Sequence, residues 1–104
     1  MENTKENISI NKLYEDFVDD SRYNVYLLND KDTWYEFVVL VLVTVFGYSE
    51  EQADDKTREI HRKGPGGRGL VATLPLEAAY EKIDQVDMLN LVFDFLLQTE
   101  IEKA

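Results

Sequence analysis

Residues 23–47 read YNVYLLNDKDTWYEFVVLVLVTVFG and contain the signals of a strand, a turn and a buried helix, in that order. Tyr23, Val25 and Leu27 alternate with Asn24 and Tyr26. A period of two predicts a β-strand. The strand is expected to end at the short polar pair that follows, because such side chains favour turns.

A capped helix is predicted directly after that turn. Thr33 and Glu36 have the spacing of a capping box, in which the hydroxyl accepts from a backbone amide and the carboxylate reaches back. The apolar run over residues 37–46 is rich in valine and is compatible with a strand on periodicity alone. Its length, the cap and Gly47 at the C′ position favour a buried helix.

A second helix is predicted to begin at another capping box, formed by Ser49 and Gln52. It should end before the turn at residues 64–67, GPGG, which neither a helix nor a central strand tolerates. Only a narrow stripe of this helix is expected to be buried. The stripe consists of Ala53, Thr57 and Ile60, with His61 at its border.

The sequence after the turn at residues 64–67 predicts one helix between two strands. The first strand is expected over residues 69–73, and the helix begins around Pro75. Its inward face comprises Leu76, Ala79, Tyr80, Ile83 and Val86, and the final strand alternates through Phe95, Leu97, Thr99 and Ile101. The order βααβαβ indicates an α+β fold, with a three-stranded antiparallel sheet packed against three helices.

The chain divides into an extension and one small domain. Residues 1–22 are polar and acidic, which predicts a flexible N-terminal arm, although Leu13, Tyr14, Phe17 and Val18 keep the spacing of a nascent helix. Residues 23–104 have the composition of a single globular domain. No signal peptide is recognisable, and residues 37–46 are too short to span a bilayer. We therefore expect a cytoplasmic protein without a membrane partner.

The charge argues against nucleic acid as a partner. The formal net charge is −10, so phosphates would be repelled. The basic residues are unevenly placed, since Lys56, Arg58, Arg62, Lys63 and Arg68 lie close together. This cluster is interpreted as a solvated helix face, and a docking patch for an acidic partner is the alternative.

The chain lacks the residues that most catalytic and metal sites need. It contains one histidine and no cysteine, which leaves only carboxylates as metal ligands. The turn at residues 64–67 lacks the lysine and the serine or threonine that follow the glycines of a phosphate loop. No serine or cysteine nucleophile is recognisable beside His61. We therefore expect no metal, no cofactor and no enzymatic activity.

Several segments together resemble the ClpS adaptor family, whose members feed substrates with particular N-terminal residues to an AAA+ Clp protease. The most specific is VYLLNDxxTxxEFV at residues 25–38, followed by FGYSEEQA at 46–53 and EIHRKG at 59–64. Weaker matches are EAAYEKI at 77–83 and EKA at 102–104. The resemblance covers about residues 22–104.

The resemblance implies a binding site for a free N-terminal residue, or N-degron. Asn29, Asp30 and His61 would hold the α-amino group of the substrate. An ammonium group carries three donors and no acceptor, so a carboxylate, an amide carbonyl and a neutral imidazole suit it. A bulky hydrophobic side chain of the substrate would enter an apolar pocket lined by Leu27, Thr33, Tyr35, Val38, Thr57, Ile60 and Leu97.

The resemblance also implies a docking site, and the chain departs from the family pattern at the pocket. Glu77 and Lys82 match positions through which the family docks on the N-terminal domain of the Clp unfoldase, and an ordinary exposed helix pair is the alternative. Tyr35 and Thr57 stand where methionine is common. Tyr35 is expected to narrow the pocket mouth, and Thr57 is expected to widen it.

A function from another class stays open. The C-terminal domain of ribosomal protein L7/L12 resembles this architecture and recruits factors through a helix surface. A ClpS-like or L7/L12-like interaction module that has lost N-degron binding would not depend on Asn29, Asp30 and His61. The presence of all three residues favours the adaptor.

Overall fold

The computed structural model describes residues 21–104 and gives the predicted order of elements. The elements are β1 (Arg22–Leu28), α1 (Tyr35–Thr44), α2 (Glu50–Arg62), β2 (Arg68–Pro75), α3 (Leu76–Phe93) and β3 (Thr99–Lys103). The βααβαβ order and the α+β class are therefore confirmed. The nascent helix considered for residues 13–18, like the rest of residues 1–20, lies outside the described residues.

The sheet places β1 in the centre. Its order is β2-β1-β3, and both pairings are antiparallel. The alternation predicted for β1 is confirmed, because Val25 and Leu27 are fully buried. Beyond the end of β1, the Leu28 amide donates to Gln98 O (3.0 Å) and the Asn29 amide to Gly67 O (2.7 Å). The turn after β1 is thus held from both sides of the sheet.

The core lies between the sheet and the helices. α1 contributes Phe37, Val38, Val41 and Leu42, the largest share of any element, and α2 contributes the predicted narrow stripe of Ala53, Thr57 and Ile60. The hydrophobic core comprises Val25, Leu27, Phe37, Val38, Val41, Leu42, Val45, Ala53, Ile60, Val71, Ala79, Val86 and Leu97. Several of these side chains also face the cavity described below, so core packing and site geometry depend on each other.

The capping box predicted for α1 is wrong. Trp34 is the N-cap and makes no side-chain cap hydrogen bond. Thr33 instead donates from its amide and its hydroxyl, each at 2.7 Å, to the carboxylate of Asp30. The bond from the Thr33 hydroxyl to the Asp30 carboxylate is charge-assisted, so it is stronger than the neutral bond that the hydroxyl would accept from a backbone amide at the helix N-terminus. The second box is confirmed, with Gln52 N to Ser49 Oγ at 3.1 Å.

The end of α1 also differs from its prediction. The helix ends at Thr44 with Val45 as C-cap, so Gly47 lies two residues beyond the cap rather than at C′. Gly47 nevertheless has a φ of 74° and permits the Tyr48 amide to turn back to Leu42 O (3.0 Å).

Two predictions for the C-terminal third require correction. The strand predicted from Phe95 begins only at Thr99, because α3 continues to Phe93 and Asp94 then turns the chain with a φ of 61°. On α3, Ala79 and Val86 are buried as predicted. Leu76 and Tyr80 are exposed, which leaves the inward face of this helix narrower than its apolar pattern indicates.

Candidate functional site

A small cavity of about 90 Å³ lies where β1 ends. Its walls include every residue that the family resemblance assigned to α-amino binding or to the hydrophobic pocket. Its walls are formed by Leu27, Leu28, Asn29, Asp30, Lys31, Thr33, Tyr35, Val38, Thr57, Ile60, His61 and Leu97. Leu28 and Lys31 were not among the predicted pocket residues. Lys31 is exposed, so its charge is screened by solvent.

The deep walls of the cavity are apolar and buried. Leu27 comes from β1, Val38 from α1 and Ile60 from α2, and each belongs to the core. Thr57 is the buried polar side chain here, and its hydroxyl donates to Ala53 O (2.7 Å). Because that hydroxyl is satisfied within the helix, it adds no unpaired polar group to the wall.

Gly69 allows α2 to lie close to the sheet beside the cavity. It pairs with Leu27 across the β1–β2 ladder. A Cβ atom at this position would lie 2.3 Å from Cγ1 of Ile60, which is far inside van der Waals contact. Any larger residue at position 69 would displace Ile60. Glycine is therefore required for the α2 wall of the cavity to keep its position.

The carboxylate of Asp30 is mostly occupied by its own loop. Its Oδ1 accepts from the amides of Asp32 (2.8 Å) and Thr33 (2.7 Å), and its Oδ2 accepts from the Thr33 hydroxyl. A carboxylate offers about four acceptor positions, so roughly one is left, on Oδ2. The loop therefore fixes the orientation of the carboxylate before any ligand binds.

The backbone of Asn29 is held by the glycine turn after α2. Its amide donates to Gly67 O, and its carbonyl accepts from Gly66 N (3.1 Å). Gly66 has a φ of 81°, a conformation that favours glycine. The side-chain amide of Asn29 makes no hydrogen bond to any residue of the range 21–104. Its carbonyl oxygen is therefore free to accept from a ligand.

His61 closes the cavity from the last turn of α2. Its ring packs edge-on against Tyr35, with centroids 6.5 Å apart and an interplanar angle of 77°. The side chain is exposed, and within the described residues its ring nitrogens have no hydrogen-bond partner. A neutral imidazole offers one acceptor nitrogen.

The arrangement can bind a cationic donor joined to an apolar group. Asn29, Asp30 and His61 each retain one acceptor at a cavity whose deeper walls are apolar. A protonated primary amine has three N–H donors, which matches these three acceptors in number and sign.

Tyr35 connects α1 to α2 at the edge of the cavity. Its hydroxyl donates to Asp54, to the backbone oxygen at 3.0 Å and to Oδ1 at 2.5 Å. The hydrogen bond to this carboxylate, and then desolvation, raise the pKa of Tyr35 above its usual value of 10.0. Asp54 also pairs with Arg58. These hydrogen bonds therefore fix the orientation of the Tyr35 side chain, so it does not rotate freely at the edge of the cavity.

Asn90 is a supporting residue that the sequence did not reveal. Its side chain donates to Leu97 O (2.9 Å) and accepts from Leu97 N (3.0 Å). This pair holds Leu97 against the cavity, although residues 95–98 are outside any strand. The only available signal was an asparagine inside a helix, where its propensity is low.

Comparisons with known proteins give the family. The profile described as "ClpS: ATP-dependent Clp protease adaptor protein ClpS" matches residues 18–93. The ATP-dependent Clp protease adapter protein ClpS of Bdellovibrio bacteriovorus is 38% identical over 81 residues, 78% of this chain and 68% of that protein. The Treponema denticola protein of that name is 33% identical over 90 residues, 86% of each chain. The chain belongs to the ClpS family.

The likeness to a solved member of the ClpS family covers the whole fold. Agrobacterium tumefaciens ClpS2, in a structure with bound L-phenylalaninamide, superposes with a TM-score of 0.74 at 30% identity. The match covers 83% of this chain and all of that one. The predicted resemblance is thereby confirmed, and an adaptor family agrees with the expectation that the protein is not itself an enzyme.

The two residues predicted to dock on the Clp ATPase lie away from the cavity. Glu77 is in the first turn of α3 and exposed, and Lys82 lies further along the same helix. Neither forms an ion pair or a side-chain hydrogen bond with another described residue. Glu77 is exposed and Lys82 is partly exposed, so both can contact a partner.

The basic cluster at residues 56–68 is largely neutralised. Lys56 pairs with Glu59 (3.1 Å), and Arg58 pairs with Asp54 and Asp55. Arg68 reaches across the sheet to Glu100 (3.1 Å) and Glu102 (3.3 Å) and lies over the ring of Tyr26. These pairs favour the interpretation of the cluster as a solvated face.

No other ligand chemistry is evident in residues 21–104. That range has no group of three or more histidine, cysteine or acidic residues placed to hold a metal ion. None of its helices is both long enough and apolar enough to cross a membrane.

Proposed function

We propose that this protein is an adaptor that binds substrates through a free, bulky hydrophobic N-terminal residue and delivers them to a Clp AAA+ protease. The observation that carries the proposal is the position of three unoccupied acceptors, on Asn29, Asp30 and His61, at the mouth of an apolar cavity. Membership in the ClpS family supports the adaptor role.

The ligand that suits this site is an amino acid with a free α-amino group. The ammonium would donate to the three acceptors, and each charge-assisted bond contributes about 1.5–3 kcal/mol. A leucine or phenylalanine side chain buried in the cavity adds about 1.5–3 kcal/mol. After the cost of association, a micromolar Kd, or about −8 kcal/mol, is expected.

The ligand of one relative supports the same chemistry. Agrobacterium tumefaciens ClpS2 was solved with L-phenylalaninamide, which combines a free α-amino group with a large apolar side chain. In the present chain, the acceptors of Asn29, Asp30 and His61 suit the free amino group, and the apolar cavity suits the large side chain. The amide end of such a ligand stands where a substrate chain would continue.

Delivery requires a second surface, and we assign it to Glu77 and Lys82 on α3. They are unpaired within residues 21–104 and lie apart from the cavity, so substrate and ATPase can be held together. The partner is the N-terminal domain of the Clp unfoldase, and the complex works in the cytoplasm. Replacing both residues by alanine should weaken binding of that purified domain in calorimetry. Glu81→Ala, an exposed neighbour, is the matched control, and equal losses in both proteins would move the docking surface elsewhere.

Fluorescence anisotropy with paired peptides tests the substrate site. Labelled peptides beginning with Phe, Leu, Tyr, Trp, Ile or Val are each compared with an N-acetylated twin. Acetylation removes the charge and leaves one N–H donor, so free peptides should bind and acetylated ones should not. The Ile and Val members report how Thr57 and Tyr35 together set the width of the cavity mouth.

Two outcomes would reject the proposal. Equal affinity of free and acetylated peptides would show that the three acceptors do not recognise an ammonium. Binding to none of the peptides would favour an interaction module that has lost N-degron binding.

A further inference from the structure

Exposed apolar side chains are concentrated at one end of the molecule. Nine large hydrophobic side chains of the described residues are exposed, and six of them lie on the last two turns of α3, in the loop after it or at the N-cap of α1. We call these six the apolar patch: Trp34, Met88, Leu91, Val92, Phe93 and Leu96. Leu91 is 80% exposed and Leu96 is 85% exposed, so packing in the core does not explain either of them.

The apolar patch is one continuous surface. Met88 precedes the next two members by three and four positions, a spacing that places side chains next to each other on a helix surface. Phe93 and Trp34 line the same groove, and the ring of Trp34 contacts that of Phe95 with centroids 5.7 Å apart. Leu96 follows Phe95 directly in the chain. The six side chains are therefore neighbours and not scattered surface residues.

The area of the apolar patch fits one side of a protein–protein interface. Exposed side chains of this size present about 100–150 Å² each, so the six together present roughly 600–900 Å². The largest apolar patch of a typical monomer covers about 300–600 Å². A standard interface takes about 800 Å² from each partner. If this patch stayed uncovered, the chain would expose more apolar surface than a typical monomer does.

The composition of the apolar patch favours a second copy of the chain as the partner. Interfaces between identical subunits are more apolar than other interfaces, which resemble the rest of the protein surface. A patch without charged members is also complementary to itself, as a two-fold contact requires. Asp87 and Asp94 lie beside it and form no ion pair with another described residue. Like charges of two copies would repel at this edge, and salt would screen that repulsion.

We propose that the apolar patch is the contact surface between two copies of this chain, related by a two-fold axis. The last two turns of α3 pack against the same turns of the second copy. The acceptors on Asn29, Asp30 and His61 lie outside the patch, and so do Glu77 and Lys82. The dimer thus presents two open cavities, and its formation does not depend on the function proposed for them.

Sedimentation velocity of the full chain at about 1–200 µM tests the proposal. A reversible equilibrium between monomer and dimer is expected, with a Kd of about 10 µM. Raising the salt from about 50 to 500 mM should lower this Kd about threefold, because the edge carboxylates are screened. A contact with a basic partner would respond in the opposite direction. Trp34 is the only tryptophan, so its emission should shift to shorter wavelength as the dimer forms.

Variants locate the contact on the apolar patch. The double variant Leu91→Ser with Leu96→Ser should raise the Kd about 100-fold, since each copy loses two apolar side chains from the interface. Both side chains are exposed in the monomer, so the fold is spared, which thermal unfolding of dilute protein checks. Leu76→Ser is the matched control. It makes the same change at an exposed leucine of α3, about 22 Å along the helix from Leu91, and should leave the Kd unchanged.

Three outcomes would overturn the proposal. A monomer at every concentration, with Trp34 open to acrylamide quenching, would leave the apolar patch to a different protein. A monomer in which Trp34 is protected until Phe17→Ser exposes it would assign the patch to residues 1–20 of the same chain. A dimer that the double variant leaves intact would place the contact on another surface. Peptide binding at the cavity is a separate measurement, and none of these outcomes changes its result.

Discussion

Residues 33–38 border two surfaces whose walls are held in different ways. Thr33, Tyr35 and Val38 line the cavity, whereas Trp34, Glu36 and Phe37 line an apolar groove together with Leu40, Phe93, Asp94 and Phe95. On the cavity side, hydrogen bonds fix the walls, with Thr33 bonded to Asp30 and Tyr35 to Asp54. On the groove side, Trp34 contacts Phe95 edge-on at 5.7 Å, and the ring of Phe37 packs against those of Phe93 and Phe95. Hydrogen bonds set the cavity before a ligand arrives, whereas aromatic contacts permit adjustment. Shape should therefore govern ligand selection in the cavity.

The largest expected effect would break the cavity side of this comparison. Asp30→Asn keeps an oxygen for the amides of Asp32 and Thr33, and the Thr33 hydroxyl can rotate to accept from the new amide. The negative charge facing the ligand ammonium is lost. Peptide affinity should fall about 100-fold, or about 3 kcal/mol, in anisotropy titrations.

The control for that experiment is Asp84→Asn, which makes the same change of charge at an exposed position on α3. Its affinity for peptide should equal that of the wild type, and thermal unfolding should show both variants folded. Comparable losses in the two variants would mean that net charge, and not the Asp30 contact, attracts the ligand.

A smaller effect should follow from removing a support of the cavity wall. Asn90→Ala deletes both hydrogen bonds to the backbone of Leu97 and leaves its amide and carbonyl without these partners. The free energy of unfolding should decrease by about 2 kcal/mol in urea titrations. Gln85→Ala, on an exposed face of the same helix, should change it by less than about 0.5 kcal/mol. If both variants had equal stability, the cavity wall would not depend on this pair.

The smallest effect concerns the third acceptor. His61→Ala removes the ring nitrogen that can accept from the ligand ammonium, so peptide affinity should fall about tenfold in anisotropy titrations. His61→Asn offers an amide oxygen in its place and should retain part of the affinity. Equal affinity of His61→Ala and the wild type would remove His61 from contact with the ammonium.

Much of the fold could be predicted because periodicity and turn residues dominate it. The alternation of Val25 and Leu27, the stripe on α2 and the Ser49 cap each depend on neighbours in sequence, and all three are confirmed. The failed predictions involve side-chain hydrogen bonds between residues three and seven positions apart, which the periodicity of the sequence does not reveal. Thr33 bonds to Asp30 instead of capping α1, and residues 95–98 leave the strand pattern because Asn90 holds Leu97.

The residues of the cavity were predictable only through the family resemblance. Nothing in the spacing of Leu27, Val38 and Leu97 indicates that they meet, since each belongs to a different part of the chain. The supporting contacts of Asp54 and Asn90 depend on side-chain placement. No sequence pattern carries that information, because loop geometry and the end of α3 determine it.

The occupied state of Asp30 has a consequence for which cations can enter the site. Calcium takes about six to eight oxygen ligands, and magnesium requires about six in nearly octahedral geometry. With one open oxygen position on Asp30, one amide oxygen and one imidazole, the site falls far short of either requirement. A primary ammonium is satisfied by the same three positions. The loop that occupies most of the carboxylate would thus favour a primary ammonium, such as the α-amino group of the proposed substrate, over inorganic cations.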